Sequence, residues 1–204
     1  MSVLCYILVP EGQADAVRHW AGTRPGQEAL IPVVLVPGSW NDDLTPWPAG
    51  PVFRKGKPFG GKAEAYLDRL LSQEIPAIEQ ARGIVPDERW IAGVSLSGLF
   101  AVWAATRTDA FRRIASVSGS FWYPGFTDWL SGQAIYTQRA CLSLGTAEDR
   151  GRNEQLRTIS RETGRVAALL QGKGVPTRLT WTDGTHFSPL TPRLESALEA
   201  LAAP

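Results

Sequence analysis

The apolar positions of this chain fall into short continuous runs that alternate with longer stretches of helical periodicity. The runs typical of buried strands are Val3–Val9, Ile31–Val36, Arg89–Ala92, Ile114–Val117, Ala140–Leu144 and Thr177–Thr182. The predicted helices are Gln13–Trp20, Lys62–Ala81, Leu96–Thr106, Asn153–Gln171 and Pro192–Leu201. This alternation predicts an α/β fold: a mostly parallel sheet of about six strands, with helices on both faces.

Two segments interrupt the simple alternation. Residues from Ser39 to Gly61 are rich in proline and glycine, which predicts a long loop after the second strand. Pro76 falls within the predicted helix Lys62–Ala81, where it indicates a kink or the last turn. Ligands of parallel α/β sheets bind at the carboxyl ends of the strands. Functional side chains are therefore expected in the residues that follow each strand.

Composition and charge exclude several classes of partner. The chain has 204 residues, which suits one domain over residues 1–204, and its net charge of +1 argues against nucleic acid or an anionic membrane. The apolar start, MSVLCYILVP, has no basic region or cleavage site and is too short to span a bilayer, so we interpret it as a strand. Cys5 and Cys141 lie in strand-like runs, which favours reduced structural thiols over a disulfide and predicts a cytoplasmic protein.

The stretch IAGVSLSGLFA, residues 91–101, places Ser95 between a strand and a helix. A strand–turn–helix with small residues two before and two after a serine is the nucleophile elbow of α/β-hydrolases. Gly93 and Ser97 satisfy that requirement, although glycine is usual at the second position. The alternative is an ordinary strand-to-helix turn.

A serine nucleophile needs a base, usually a histidine oriented by a carboxylate. The chain has two histidines, and His19 lies on a helical stretch before the serine, where a surface position is expected. His186 follows the last strand, as a base in this chain order would. Glu148 and Asp149 follow the strand Ala140–Leu144; we favour Glu148 as the acid, the alternative being that both carboxylates pair with Arg150 or Arg152.

Six motifs in register resemble an esterase family of the α/β-hydrolases, which includes esterase D-like, enterochelin esterase-like and mycolyltransferase-like proteins. They are PEGQ at 10–13, WNDDLTPW at 40–47, the serine turn at 91–101, SVSGSFW at 116–122, GTAE at 145–148 and GTH at 184–186. Each motif is weak alone, but together they cover nearly the whole chain. The resemblance implies a reduced α/β-hydrolase fold that lacks the usual N-terminal hairpin.

The same resemblance implies an esterase that works through an acyl-enzyme, with Ser95 as nucleophile, His186 as base and Glu148 as orienting acid. Its oxyanion hole would use the N–H of Leu96 and that of Gly12 or Gln13, of which we take Gln13. Some relatives lack the acid and work with a Ser–His pair, which is an alternative to a role for Glu148. The turn after Val9 has an extra residue relative to the family pattern, which bears on the second oxyanion donor.

Eight tryptophans are present, and Trp40 and Trp122 follow strand ends, so we expect them either in a substrate pocket or in the core beneath the loops. No phosphate loop or metal-ligand cluster occurs, so no cofactor or metal is expected. The predicted partner is a small-molecule ester. Two alternatives stay open: an acyltransferase with the same three residues, and a hydrolase-fold protein that only binds.

Overall fold

A computed structural model describes residues 2–24 and 29–203, so both ends of the predicted domain, residues 1 and 204, lie outside it. Its strands are β1 (Val3–Leu8), β2 (Leu30–Leu35), β3 (Pro48–Ala49), β4 (Phe59–Gly60), β5 (Glu88–Val94), β6 (Arg113–Val117), β7 (Arg139–Gly145) and β8 (Thr177–Thr182). Six of them form one parallel sheet in the order β2-β1-β5-β6-β7-β8. The predicted sheet is confirmed.

The helices are α1 (Glu11–Thr23), α2 (Trp40–Asp43), α3 (Ala63–Arg69), α4 (Ile75–Arg82), α5 (Leu96–Ala104), α6 (Phe126–Ser131), α7 (Ile159–Gly172) and α8 (Leu190–Ala202). Alternate side chains of each strand point to opposite faces of the sheet, which divides the core in two. Helices α1 and α8 pack on the face of Cys5 and Ile7, and α3 to α7 cover the face of Tyr6 and Leu8. Helices therefore cover both faces, as expected.

The segment from 39 to 82 is more structured than the sequence pattern indicated. The predicted loop contains α2 and a two-residue antiparallel pair, β3 with β4, separate from the main sheet. The predicted helix after it is divided by a wider π turn, Leu70–Glu74, in which the N–H of Ile75 donates to Leu70 O. Pro76 comes directly after that turn. Because proline has no N–H to donate and its ring crowds the carbonyl one turn earlier, the wider π turn before Pro76 accommodates the proline.

Cys5 and Cys141 are both free thiols within the α1/α8 face of the core. Burial raises the pKa of Cys5 to about 12 and that of Cys141 to about 11, so both stay protonated and unreactive.

No helix in residues 2–24 or 29–203 combines the length and apolarity needed to cross a membrane.

Candidate active site

Ser95 occupies a strained turn between β5 and α5. Its backbone has φ 57° and ψ −121°, a conformation that non-glycine residues rarely adopt. The Ser95 N–H donates to Val117 O at 3.0 Å, which ties the turn to the end of the neighbouring strand β6. The serine therefore stands at the carboxyl edge of the sheet, with its hydroxyl directed out of the strand.

Close backbone packing explains the small residues around this turn. A Cβ on Gly93 would lie 2.3 Å from the carbonyl carbon and oxygen of Ser97, and one on Gly98 would lie 2.6 Å from Ser116 Oγ. The Ser97 side chain fits because its hydroxyl is used: it accepts the Val94 N–H at 2.8 Å and lies 2.7 Å from Leu8 O. Serine at the usual glycine position thus joins β5 to β1.

Three of the residues singled out from the sequence are brought into one hydrogen-bonded row. His186 Nε2 lies 3.2 Å from Ser95 Oγ, and His186 Nδ1 lies 2.9 Å from Glu148 Oε2. The imidazole side chain is 35% exposed, whereas the carboxyl side chain is 2% exposed. The histidine can therefore meet a ligand from solution, while the carboxylate behind it is sheltered from water.

The buried Glu148 carboxylate is compensated by several donors. Its Oε1 accepts the Gly145 N–H at 2.7 Å and Arg193 Nη2 at 3.0 Å, and it also contacts the Ser118 hydroxyl. Burial alone would raise the pKa of Glu148, but hydrogen bonds from His186, Ser118 and Gly145 outweigh it and hold that pKa below the ordinary value. The carboxylate is consequently ionised at neutral pH.

The neighbouring charges do not pair in the way that the sequence alternative supposed. Asp149 Oδ2 accepts a hydrogen bond from Ser160 Oγ at 2.8 Å and does not contact the histidine in the described structure. Arg150 and Arg152 make no ion pair with a described carboxylate; with Arg157 they line an open cleft of about 740 Å³ beyond the Glu148 turn. Of the two candidate acids, Glu148 is the one placed against His186.

The expected oxyanion donors lie at the starts of two helices that follow adjacent strands. Leu96 is the first residue of α5, so its N–H has no partner within the helix. Helix α1 begins at Glu11, two residues earlier than predicted, and the Gln13 N–H donates to Pro10 O at 2.9 Å. Among the described hydrogen bonds none uses the Gly12 N–H, so Gly12 is the freer of the two amides considered.

Trp40 and Trp122 both lie beyond carboxyl ends of strands, partly buried against the core. Trp122 packs on Phe59 with ring centroids 6.1 Å apart, and it follows Ser120 by two residues. Ser120 contacts the Ser95 turn directly: its N–H donates to Ser95 O at 3.0 Å, and the two hydroxyl oxygens are 3.3 Å apart. The segment that carries Trp122 is therefore anchored at Ser95.

Sequence reasoning did not single out Arg193 or Ser118 individually. Arg193 had a signal, because it falls in the apolar stripe of the last helix, beside Leu194 and one turn from Leu190 and Ala197. An arginine in a core-facing position needs a buried anion as partner. Ser118 lay inside a quoted motif, but its positive φ of 49°, which turns the hydroxyl toward Glu148, leaves no sequence mark.

Comparison with known proteins supports this assignment of the fold. The chain is 31% identical over 156 residues to "Uncharacterized protein YbbA" of Bacillus subtilis (strain 168), covering 72% of this chain and 62% of that relative. It thus spans less than two thirds of the relative's length. The structure is similar to the siderophore hydrolase EstB of Aspergillus nidulans, with TM-score 0.71, 19% identity, and coverage of 98% of this chain and 82% of that one.

A second structural neighbour is an IroE-like serine hydrolase from Shewanella oneidensis, with TM-score 0.76, 19% identity, and coverage of 98% of this chain and 70% of that one. At such identities the structural likeness establishes the fold alone. The family described as "Putative esterase" matches residues 9–189, which include the serine turn, the Glu148 turn and His186. The chain therefore belongs to this esterase family of the α/β-hydrolases.

Proposed function

We propose that this protein is a serine esterase that cleaves carboxylic esters through an acyl-enzyme. The observation that carries the proposal is the row Ser95 Oγ, His186 Nε2, His186 Nδ1 and Glu148 Oε2, with spacings of 3.2 and 2.9 Å across the imidazole. A serine on a strained turn, a half-exposed base and a buried ionised carboxylate are the parts that activate a hydroxyl at neutral pH. Membership of the esterase family supports the same chemistry.

In the first half-reaction, Ser95 Oγ forms a bond to the ester carbonyl carbon as its proton passes to His186 Nε2. The tetrahedral intermediate then breaks the bond to the alcohol oxygen, which leaves with that proton. In the second half-reaction, water attacks the acyl group, gives its proton to His186, and releases the acid and a free Ser95 hydroxyl. Glu148 accepts the Nδ1–H throughout and stabilises the imidazolium.

The oxyanion of the intermediate needs two N–H donors about 3 Å away. The N–H of Leu96 is one, at the N-terminus of the buried helix α5, where the helix dipole adds to the stabilisation. For the second donor, the hydrogen bond from the Gln13 N–H to Pro10 O favours Gly12 over Gln13. Strand β1 pairs in parallel with β5, so α1 and α5 begin at the same end of the sheet, which supports a second donor from the start of α1.

The substrate is proposed to be a small or medium acyl ester or an aryl ester. Trp40 and Trp122 would supply apolar contact for an aromatic or acyl group, and Trp122 is tied to the nucleophile turn through Ser120. Structural neighbours named as siderophore hydrolases make siderophore-type esters the next compounds to screen.

The decisive experiment is covalent labelling with a fluorophosphonate, read by intact mass. Wild type should take up one adduct, and Ser95→Ala should take up none while remaining folded. Ser120→Ala is the matched control, since its hydroxyl lies 3.3 Å from the nucleophile but is not in line with His186, and it should still be labelled. An unlabelled, folded wild type would refute the proposal and leave a protein that only binds.

A second comparison tests the choice of acid. Hydrolysis of a p-nitrophenyl ester should fall by about 10⁴-fold in Glu148→Ala, as in other enzymes that lose the orienting acid. Asp149→Ala removes a carboxylate that contacts Ser160 and should stay within a few-fold of wild type. A larger loss in Asp149→Ala than in Glu148→Ala would reverse the assignment.

Adding an acceptor alcohol and analysing the products separates hydrolysis from acyl transfer.

A further inference from the structure

Helix α8 carries an arginine in the middle of its apolar face. The Arg193 side chain is 6% exposed, and its Nη2 lies 3.0 Å from Glu148 Oε1 and contacts the Ser118 hydroxyl. Leu190 and Leu194 on the same face pack into the core beneath the sheet. The ionised head group is therefore placed behind the proposed acid, on the side opposite the histidine.

The geometry points to Arg193 as a positioning residue of the proposed reaction, one that locks the Glu148 carboxylate toward His186 and offsets its negative charge. This inference rests on the proposed function, because the role of Arg193 is exerted through the acid and the histidine. Arg193 itself touches neither Ser95 nor His186 in the described structure.

The locking follows from how the carboxylate donors are distributed. All three donors other than His186 meet one oxygen, Oε1: the Gly145 N–H, the Ser118 hydroxyl and Arg193 Nη2. Among the residues that the structure describes, the other oxygen, Oε2, meets only His186 Nδ1. Rotation of the carboxylate would break bonds to three groups at once, so the oxygen facing the histidine is fixed.

Burying the Arg193 side chain lowers the stability of the fold if the residue has only a structural role. Its Nε is buried and has no hydrogen-bond partner among the described residues. Replacing a buried ion pair by apolar residues is often neutral or stabilising, so packing alone does not explain a charge at this position. The charge is explained if it serves the neighbouring carboxylate.

Within residues 2–24 and 29–203, the charges that contact Glu148 come from one loop and one helix. His186 faces it from the loop after β8, and Arg193 faces it from α8; Gly145 and Ser118, from the ends of β7 and β6, offer neutral donors. On its own turn, Asp149 is directed to Ser160, and Arg150 lines the outer cleft. Arg193 is thus the cation on the far side of the Glu148 carboxylate from His186, and its removal changes the charge behind the proposed acid.

The test compares Arg193→Met with Arg193→Lys, using Arg113→Met as the matched control. Arg113 donates to the Leu201 carbonyl near the other end of α8, so its loss loosens the same helix away from Glu148. Arg193→Met should lower kcat for a p-nitrophenyl ester about tenfold or more with KM little changed, by analogy with other groups that orient a ligand from behind. Because it removes a positive charge near the acid–histidine pair, it should also move the acid limb of the kcat/KM profile to higher pH.

Arg193→Lys keeps the charge but loses the planar fork of donors, so its acid limb should stay near wild type while kcat falls part of the way. This variant also serves if Arg193→Met fails to fold. Arg113→Met should leave kcat and the acid limb unchanged; equal effects in Arg113→Met would mean that a loosened helix, not a lost charge, is responsible, and the inference would be wrong.

Proton NMR provides a readout that needs no turnover, because the chain has only His19 and His186. A His19→Gln background leaves one histidine to titrate, and in it Arg193→Met should move the titration of His186 to higher pH. An unchanged titration in a folded variant overturns the inference even if the enzyme is active. If wild type takes no fluorophosphonate, the esterase proposal fails, and this titration still decides whether Arg193 acts on the acid–histidine pair.

A double variant shows whether Arg193 acts through Glu148. In a Glu148→Gln background the carboxylate charge is gone, so adding Arg193→Met should cost far less activity than it does in wild type. In the double variant both side chains are neutral, so neither buried charge is left without its partner. An undiminished loss in the Glu148→Gln background would contradict the proposed route.

Discussion

The backbone N–H of Ala147 donates to the carbonyl oxygen of Gly184 at 2.9 Å. Glu148 follows Ala147 directly, and His186 follows Gly184 by two residues. A second bond, from the Thr146 N–H to Thr182 O at 2.9 Å, continues the pairing of β7 with β8 into the loops. Glu148 and His186, the proposed acid and base, are thus carried by one hydrogen-bonded unit and not by two independent loops.

Gly184 is the first position at which this unit can be tested. It has φ 121°, and a Cβ there would lie 2.2 Å from Ser188 Oγ, so Gly184→Ala should displace the loop that holds His186. Because small displacements of catalytic groups are costly, we expect kcat to fall about 100-fold. Gly174→Ala is the control: it has φ 82° but no atom within 4 Å of its added Cβ, and kcat should be unchanged. Equal kcat in the two variants would refute the expectation.

The strained Ser95 backbone predicts a trade between stability and activity. Glycine adopts positive φ freely, so Ser95→Gly should relieve a backbone strain of about 1–3 kcal/mol. Glycine also gives the unfolded chain more conformational freedom, which lowers the free energy of unfolding by up to about 1 kcal/mol. Ser95→Ala removes the same hydroxyl without that relief. Urea unfolding should therefore find Ser95→Gly more stable than Ser95→Ala, with both variants inactive. A less stable glycine variant would show that the turn is not strained.

A hydrogen-bonded network between α4 and the strands β1 and β5 predicts that stability depends on pH. Arg89 Nε and Nη2 donate to Glu79 at 2.6 and 2.7 Å, and the Tyr6 hydroxyl donates at 2.8 Å. The Arg89 bonds, together with that of Tyr6, hold the pKa of Glu79 below its ordinary value of 4.5, although burial opposes them. The stabilisation is thus complete above about pH 4.5 and is lost as pH falls through the folded-state pKa.

Glu79→Gln should accordingly be less stable than wild type at pH 7, and the difference should shrink as the pH falls below 4.5, in urea unfolding measured at several pH values. Glu64→Gln is the control. It removes an exposed ion pair with Arg107 and should change stability by less than about 0.5 kcal/mol at pH 7. A constant difference for Glu79→Gln across this range would contradict the expectation.

The role of the loop tryptophans is a separate prediction. If Trp40 and Trp122 line the substrate pocket, replacing either by alanine should raise KM for an aryl ester about tenfold and leave kcat within a few-fold. Trp129→Ala is the control, because Trp129 packs edge-on against Trp47 at 5.4 Å and should affect stability rather than KM. Unchanged KM values in both test variants would place these tryptophans in the core alone.

The sequence was most informative where a strand ends. Ser95, Glu148 and His186 each follow a predicted strand, and the carboxyl ends of parallel strands meet at one edge, so their proximity could be expected before any coordinates. The structure places them within hydrogen-bonding distance. The parallel sheet with helices on both faces followed from the same alternation, whereas the order of its strands, β2-β1-β5-β6-β7-β8, was not predicted.

Features that depend on backbone geometry could not be read in this way. Helix α1 begins directly after Pro10, earlier than predicted, and the Gln13 N–H therefore donates to Pro10 O. The periodicity of apolar residues does not locate a helix start to within two residues. The six-residue helix α6 is too short to show an apolar repeat. Arg193 was visible as an arginine in an apolar stripe, but its partner lies 45 residues away along the chain.

The position of Arg193 on α8 has a consequence for synthesis. Ser95 and its turn leave the ribosome about a hundred residues before α8, the last described helix, and Glu148 leaves 45 residues before its arginine. A growing chain can therefore build the core around β5 early, as N-terminal parts of proteins generally fold first. Under the proposed function, the Ser95 hydroxyl has no base until His186, 91 residues later in the chain, has been synthesised, so we expect it to become reactive only late in synthesis.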